Sequence, residues 1–240
     1  MSISIPNIDF IFYHIEKCGG TSLRHSLYNY FINIYNKKQV YDSTKSSNYR
    51  LQFDKKNIDA IKNDNNFDYD NIKIIMSHVR VYEFPYLLNT TPIKITIIRN
   101  PIDRIISHYY YFDKANYNCE MIDLPNNIFK KYCKAHGQHM CRVFDCIESN
   151  NVFNIKKLKI NIKNFTYILI LENIDEDIKH LNKLLNNYYN CNYNIIMPHT
   201  NKNEYIVKDS NLLKEKIKLC CTRDLTLYNM VTNYNLTHKN

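Results

Sequence analysis

Residues 10–23 read Phe-Ile-Phe-Tyr-His-Ile-Glu-Lys-Cys-Gly-Gly-Thr-Ser-Leu. An apolar run from Ile8 to Ile15 ends in Glu16-Lys17, and Gly19-Gly20 are two of the only three glycines in the chain. Thr21-Ser22 follow, and Leu23, Leu27, Tyr30, Phe31 and Ile34 then recur at helical spacing. The pattern predicts a buried strand, a tight turn and a helix N-terminus. Such a terminus presents unpaired N–H groups and partial positive charge, which suit phosphate or sulfate. Lys17 precedes the glycines, whereas the nucleoside-triphosphate loop G-x-x-x-x-G-K-[ST] places its lysine after them. The turn therefore does not fit an ATP or GTP loop.

Two further strand ends carry chemistry. The β-branched run Ile95-Thr96-Ile97-Ile98 leads directly into Arg99-Asn100-Pro101-Ile102-Asp103-Arg104-Ile105-Ile106-Ser107. Asn100 is a favourable N-cap and Pro101 a favourable first helical residue, so Arg99 sits at a strand's carboxyl end with Ser107 in the next helix. A planar guanidinium there suits phosphate oxygens. Arg104 and Asp103 are expected as solvated or salt-bridging helix residues. The strand Asn71 to Met76 ends in Ser77-His78-Val79-Arg80, and a histidine in that position can act as a proton acceptor near neutral pH or simply cap the strand.

Strands expected near 8–15, 71–77, 93–98 and 165–171 alternate with helical patterns, as in a parallel α/β sheet. Ligands of such sheets bind beyond the carboxyl ends of the strands, and Lys17, His78 and Arg99 all lie at such ends. Residues 36–70 read as a polar excursion with a short helix near Lys55 to Lys62. Residues 113–160 read as mainly helical and irregular. Helices are expected at Ile174 to Leu185, from Asn211 to Leu219 and from Asp224 to Val231.

The 240 residues suit one domain, 1–240, and the net charge of +9 suits a polyanionic ligand. No arginine-rich run, zinc finger or RNA-binding motif is present, which argues against a dedicated nucleic-acid role. No signal peptide is expected, and no apolar run reaches the roughly 18 residues of a membrane span. The eight cysteines are expected to be mostly free thiols. Cys133, His136, His139 and Cys141 offer ligand atoms but lack the paired Cys-x-x-Cys spacing, so no metal site is expected.

Lys17-Cys18-Gly19-Gly20-Thr21-Ser22 resembles the 5′-phosphosulfate loop of sulfotransferases that use 3′-phosphoadenosine 5′-phosphosulfate (PAPS). In their carbohydrate branch the loop reads roughly H-I-P-K-x-G-G-T-S. This chain matches at His14, Ile15, Lys17, Gly19, Gly20, Thr21 and Ser22, with Glu16 in place of proline. Arg99 through Ser107 resembles the family's 3′-phosphate site, R-[DN]-P-x-x-R-x-x-S-x-[YF]. By similarity to heparan sulfate 2-O-sulfotransferases, His78 is the expected base, while the second histidine of those enzymes is replaced by Arg80. Pro198 to Lys202 resembles the family loop that closes over the nucleotide, which adds Asn201 and Lys202 to the donor site. Glu16, Arg80 and Gln138 fall where acceptor contacts are expected.

The resemblance implies a three-layer αβα, P-loop NTPase-like sulfotransferase fold, with PAPS as donor, PAP as product and no metal. The acceptor would be a hydroxyl, with an oligosaccharide preferred, and the 36–70 and 113–160 regions would build its cleft. A cytoplasmic location would follow if the chain is complete, and the Golgi lumen if it belongs to a longer protein. Two other readings stay open: an inactive PAP-, PAPS- or glycan-binding module of the same fold, and a phosphate-loop kinase. The kinase would need a lysine after the glycines and an acidic Mg²⁺ ligand at a neighbouring strand end.

Overall fold

The computed structural model describes residues 7–45, 57–78, 91–197 and 210–238. Its centre is a five-stranded sheet of β1 (Phe10–Tyr13), β2 (Val40–Asp42), β3 (Ile74–Ser77), β4 (Ile93–Ile98) and β5 (Tyr167–Ile170), in the order β2-β3-β1-β4-β5. Every pairing is parallel. Phe10 pairs with Ile74 on one side and Ile93 on the other, so β1 is central. All four residues of β1 and of β3 are buried. Burial on both faces is what a parallel sheet covered by helices requires, and it explains the continuous apolar runs. The architecture is the α/β fold expected from the sequence.

Strand β2 corrects the reading of residues 36–70 as an excursion without sheet. Three residues are too short to show a period, but Val40 and Tyr41 are fully buried and hydrogen-bonded beside β3. Asp42 closes the strand by pairing with Arg24 at 3.5 Å. Arg24 belongs to α1 (Gly20–Phe31), so this ion pair fastens the edge strand to the first helix.

From β1 the chain goes to the edge strand β2, returns to β3 beside β1, and then crosses to β4 on the other side of β1. This reversal is the place where open α/β sheets bind ligands. It puts the carboxyl ends of β3, β1 and β4 side by side, and with them the segments carrying His78, Lys17 and Arg99. Helix α3 (Pro101–His108) begins as expected, with the Asn100 side chain accepting from the Ile102 amide at 3.0 Å and Pro101 in the first turn. It runs into a π-helical turn, Tyr109–Asp113, and then α4 (Lys114–Tyr117).

Beyond β4 the chain forms α5 (Asn126–His136), α6 (His139–Val143) and α7 (Ile155–Lys163) before β5. Helices α8 (Ile174–Tyr189), α9 (Ser210–Lys218) and α10 (Thr222–His238) follow it, and a short α2 (Ile58–Lys62) precedes β3. Arg104 is the salt-bridging one of the two expected kinds of helix residue, but it is buried rather than solvated. It is fully buried in α3, donates to the His136 carbonyl, and faces Asp224 of α10 at 3.9 Å. Asp224 in turn accepts from the Met140 and Cys141 amides at 3.1 and 2.9 Å, capping α6. One ion pair thus joins α3, α6 and α10. Asp103 does form a surface pair, with Lys214 at 3.3 Å.

Removing one member of a buried pair leaves the other charge uncompensated, at a cost of about 3–5 kcal/mol. Asp224→Asn is expected to lower stability by about that amount in urea unfolding. The double change Arg104→Met with Asp224→Asn, which removes both charges and keeps a side-chain oxygen for the α6 amides, should be milder. An Asp224→Asn protein as stable as the parent would show that the pair is not what holds these helices.

Candidate active site

The turn after β1 combines two residues with positive φ, Lys17 at 62° and Gly19 at 79°. A left-handed lysine is uncommon and persists only where its surroundings enforce it. Helix α1 begins at Gly20 with no side-chain cap and no acidic residue in its first turn. The positive end of the helix thus has no carboxylate of its own in the first turn, an arrangement that suits an anion. Thr21 is exposed and Ser22 buried, on adjacent positions of that turn. Cys18 is fully buried, and burial pushes its thiol up to about 12. Only its backbone can serve a ligand.

Arg99 leans back over this turn, with Nη1 donating to the Lys17 carbonyl at 3.4 Å. The sequence-expected donor residues Lys17 and Arg99 thus meet. Burial holds the Lys17 ammonium below the usual lysine range, the nearby Arg99 adds to that, and Glu16 partly opposes it. Lys17 Nζ lies 3.6 Å from the centre of the Tyr111 ring, on the π-helical turn. Ser107 is half-buried in α3, two turns after Arg99. Neighbouring cations around an uncapped helix start form an arrangement suited to a polyanion.

His78 stands one residue past β3. The His14 amide donates to the Ser77 carbonyl at 3.0 Å, which extends the β1–β3 pairing and sets residues 14 and 78 beside each other. Their imidazoles stack, with centres 4.0 Å apart and planes 25° from parallel. His14 is buried and its Nδ1 has no hydrogen-bond partner. The ring also contacts α1: a Cβ on Gly20 would lie 2.1 Å from His14 Cδ2. The glycine at position 20 is therefore demanded by the histidine ring as well as by the turn.

Gln138 does not reach this constellation through its amide oxygen, which accepts from Arg223 Nη1 at 3.0 Å. Arg80, Asn201 and Lys202 lie outside the described residues. Cys133, His136, His139 and Cys141 do not form a cluster of ligands: among the described residues no group of three or more could hold a metal ion. All eight cysteines are free thiols.

The sequence reading missed a second polar group beside the loop. His108 Nδ1 is 2.7 Å from the Tyr132 hydroxyl, which donates to Asp113 at 3.0 Å, and the His108 ring packs 4.0 Å from that of His136. Arg104 leaves Nε and Nη1 without partners in the same region. The π-helical turn breaks the 3.6-residue period, so no sequence spacing reveals these contacts.

Burial, followed by the charges of neighbouring groups, pushes His108 down to about 4 and His139 to about 3. Burial, then His78 and Arg24, holds His14 well below its ordinary value. The unfolded chain takes up protons on these histidines near pH 6.5, whereas the folded one does not. Stability is therefore expected to fall as pH drops from about 6.5 toward 4, by up to about 1.4 kcal/mol per unit for each histidine. Urea midpoints at about pH 7.5 and pH 5 check this, and equal midpoints would contradict it. At neutral pH, Gly20→Ala should cost about 1–3 kcal/mol because the His14 ring must be displaced.

A family model described as "Sulfotransferase family" matches residues 3–230. Among curated proteins, a probable polyketide synthase 32 from Dictyostelium discoideum is 35% identical over 107 residues, 42% of this chain and 3% of its own length. The chain thus spans only a small part of that relative. Among solved structures, a sulfotransferase from Alicyclobacillus acidocaldarius is 13% identical, with 95% of this chain and 97% of that one covered at a TM-score of 0.46. With nearly its whole length matched by the family model, the chain belongs to the sulfotransferase family.

Proposed function

We propose that this sulfotransferase moves a sulfuryl group from PAPS to a hydroxyl of a carbohydrate acceptor. The observation that carries the reading is the meeting of Lys17 and Arg99 over a helix start that has neither side-chain cap nor acidic residue. In this reading the amides around Cys18, Gly19 and Gly20, with the Thr21 and Ser22 hydroxyls, hold the 5′-phosphosulfate. Arg99 and Ser107 bind the 3′-phosphate and so distinguish the donor from ADP or ATP. Asn201 and Lys202 complete the donor site. Glu16, Arg80 and Gln138 belong to the acceptor side.

His78 takes the proton of the acceptor hydroxyl as that oxygen bonds to sulfur. The bond from sulfur to the bridging oxygen breaks, and its electron pair stays on the departing phosphate of PAP. Lys17 offsets the charge that grows on the bridging oxygen. In-line placement of acceptor oxygen and leaving phosphate supplies the remainder. The positive charge comes from protein cations and helix amides, with no metal invoked.

Specific ligands stabilise a folded protein in proportion to the logarithm of their concentration over Kd. PAP is expected to raise Tm without Mg²⁺ and ADP to raise it far less. A response to ADP equal to that with PAP, or dependent on Mg²⁺, would point to a kinase. No response to either would leave the inactive-module reading. Arg99→Ala should weaken PAP binding by about 10- to 100-fold, the loss expected for charge-assisted hydrogen bonds. His78→Ala should lower turnover by about 10²- to 10⁴-fold with PAP binding intact.

A further inference from the structure

We propose that His14 is a positioning residue whose buried ring face fixes the orientation of the His78 imidazole and couples it to the donor loop. The inference rests on the reading of His78 as the base. The backbone and ring of His14 are both fixed. The His14 amide is bonded to the Ser77 carbonyl at 3.0 Å. The Phe12 ring lies 5.8 Å from the His14 ring, centre to centre, with planes 17° apart. Gly20, the first residue of α1, leaves no room for the ring to move toward the loop, as the 2.1 Å approach of a notional Cβ shows. The His78 ring stacks on that of His14 with centres 4.0 Å apart.

Rotation of an imidazole about its last side-chain bond is a soft motion with broad minima. A fixed aromatic face at van der Waals distance narrows it. A base must also lie within hydrogen-bond reach of the proton it removes, and a misplacement of about 1 Å can cost on the order of 10²-fold. His14 thus contacts the rings of both Phe12 and His78, linking β1 to the end of β3, and α1 begins against its ring. A displacement of the α1 N-terminus on donor binding would be transmitted through one ring to the base.

The chemistry leaves His14 itself out of the proton transfer. Among the described residues, the titratable and charged groups that bear on it are His78 on β3's extension and Arg24 on α1, itself paired with Asp42 of β2. Both His78 and Arg24 disfavour a second positive charge on the ring, as does burial. A ring that stays neutral can supply a face, and His14→Phe retains that face while removing both nitrogens.

The test compares His14→Ala, His14→Phe and His78→Ala. Turnover is measured with PAPS and a uronic-acid-containing oligosaccharide, donor binding by PAP thermal shift, and the His78 ring by proton NMR of its Hδ2 and Hε1. His14→Ala is expected to lower kcat by about 10- to 100-fold with donor KM changed less than about threefold. The upfield ring-current displacement of the His78 signals should be lost. His14→Phe should restore the NMR displacement and bring kcat to within about fivefold of the parent. Unchanged His78 signals in a folded, PAP-binding His14→Ala protein would overturn the proposal without any acceptor being needed. A His14→Phe protein with restored signals but the low kcat of His14→Ala would overturn it too, since a nitrogen of His14 would then be required. Near-normal turnover in His78→Ala would instead sink the base assignment itself, a result separable from failure of the His14 contact alone.

Discussion

The absence of a side chain at residue 20 is the steric condition on which the site depends. Helix α1 starts there, against the His14 ring, at a distance no Cβ could share. The same turn places Gly19 and Lys17 in left-handed backbone, which lets the chain leave β1 and enter the helix with its first amides pointing outward. Sheet order does the rest. Because β1 has β3 on one side and β4 on the other, a histidine and an arginine from distant parts of the sequence are delivered to the two flanks of one turn.

Among the described residues, Lys17 is half-buried beside Arg99, which works against its charge, while Glu16 offsets that in part. Arg104 lies fully buried nearby with Asp224 as its paired carboxylate. Like charges gathered at the edge of a low-dielectric core destabilise the folded chain and favour any polyanion that enters. The buried Asp224 shows how the rest of the fold tolerates this. It serves one guanidinium and two helix amides at once, so a single carboxylate compensates several buried donors.

The central sheet and the loop were legible because their signals are local. The apolar runs of β1, β3 and β4 are continuous, the glycine pair is nearly unique in the chain, and Asn100-Pro101 marks the start of α3. What the sequence concealed depends on tertiary pairing. Three-residue β2 shows no period, and Asp42 looks like a loop residue until Arg24 is placed beside it. Arg104 reads as a surface residue by type, yet three helices close around it. The contact of His14 with His78 could have been inferred only by aligning β1 with β3 in register, since Tyr13 faces Ser77 and the following residues must then adjoin. The contact of Lys17 with Tyr111 had no sequence signal, because the π-helical turn shifts Tyr111 off the helical period.

That last contact bears on how the proposed donor would enter. Lys17 Nζ rests on the face of Tyr111, which is 59% exposed. A cation–π contact at such an exposed site contributes about 0.5–1 kcal/mol. A charge-assisted hydrogen bond to a phosphosulfate oxygen contributes about 1.5–3 kcal/mol. Exchanging one for the other favours the donor, so the ring holds the lysine loosely. The flexible stem of lysine lets Nζ turn inward while its backbone stays fixed by the left-handed turn and by Arg99 on its carbonyl. A lysine whose backbone is fixed and whose stem can turn would suit the proposed role of following charge from the phosphosulfate to the departing oxygen.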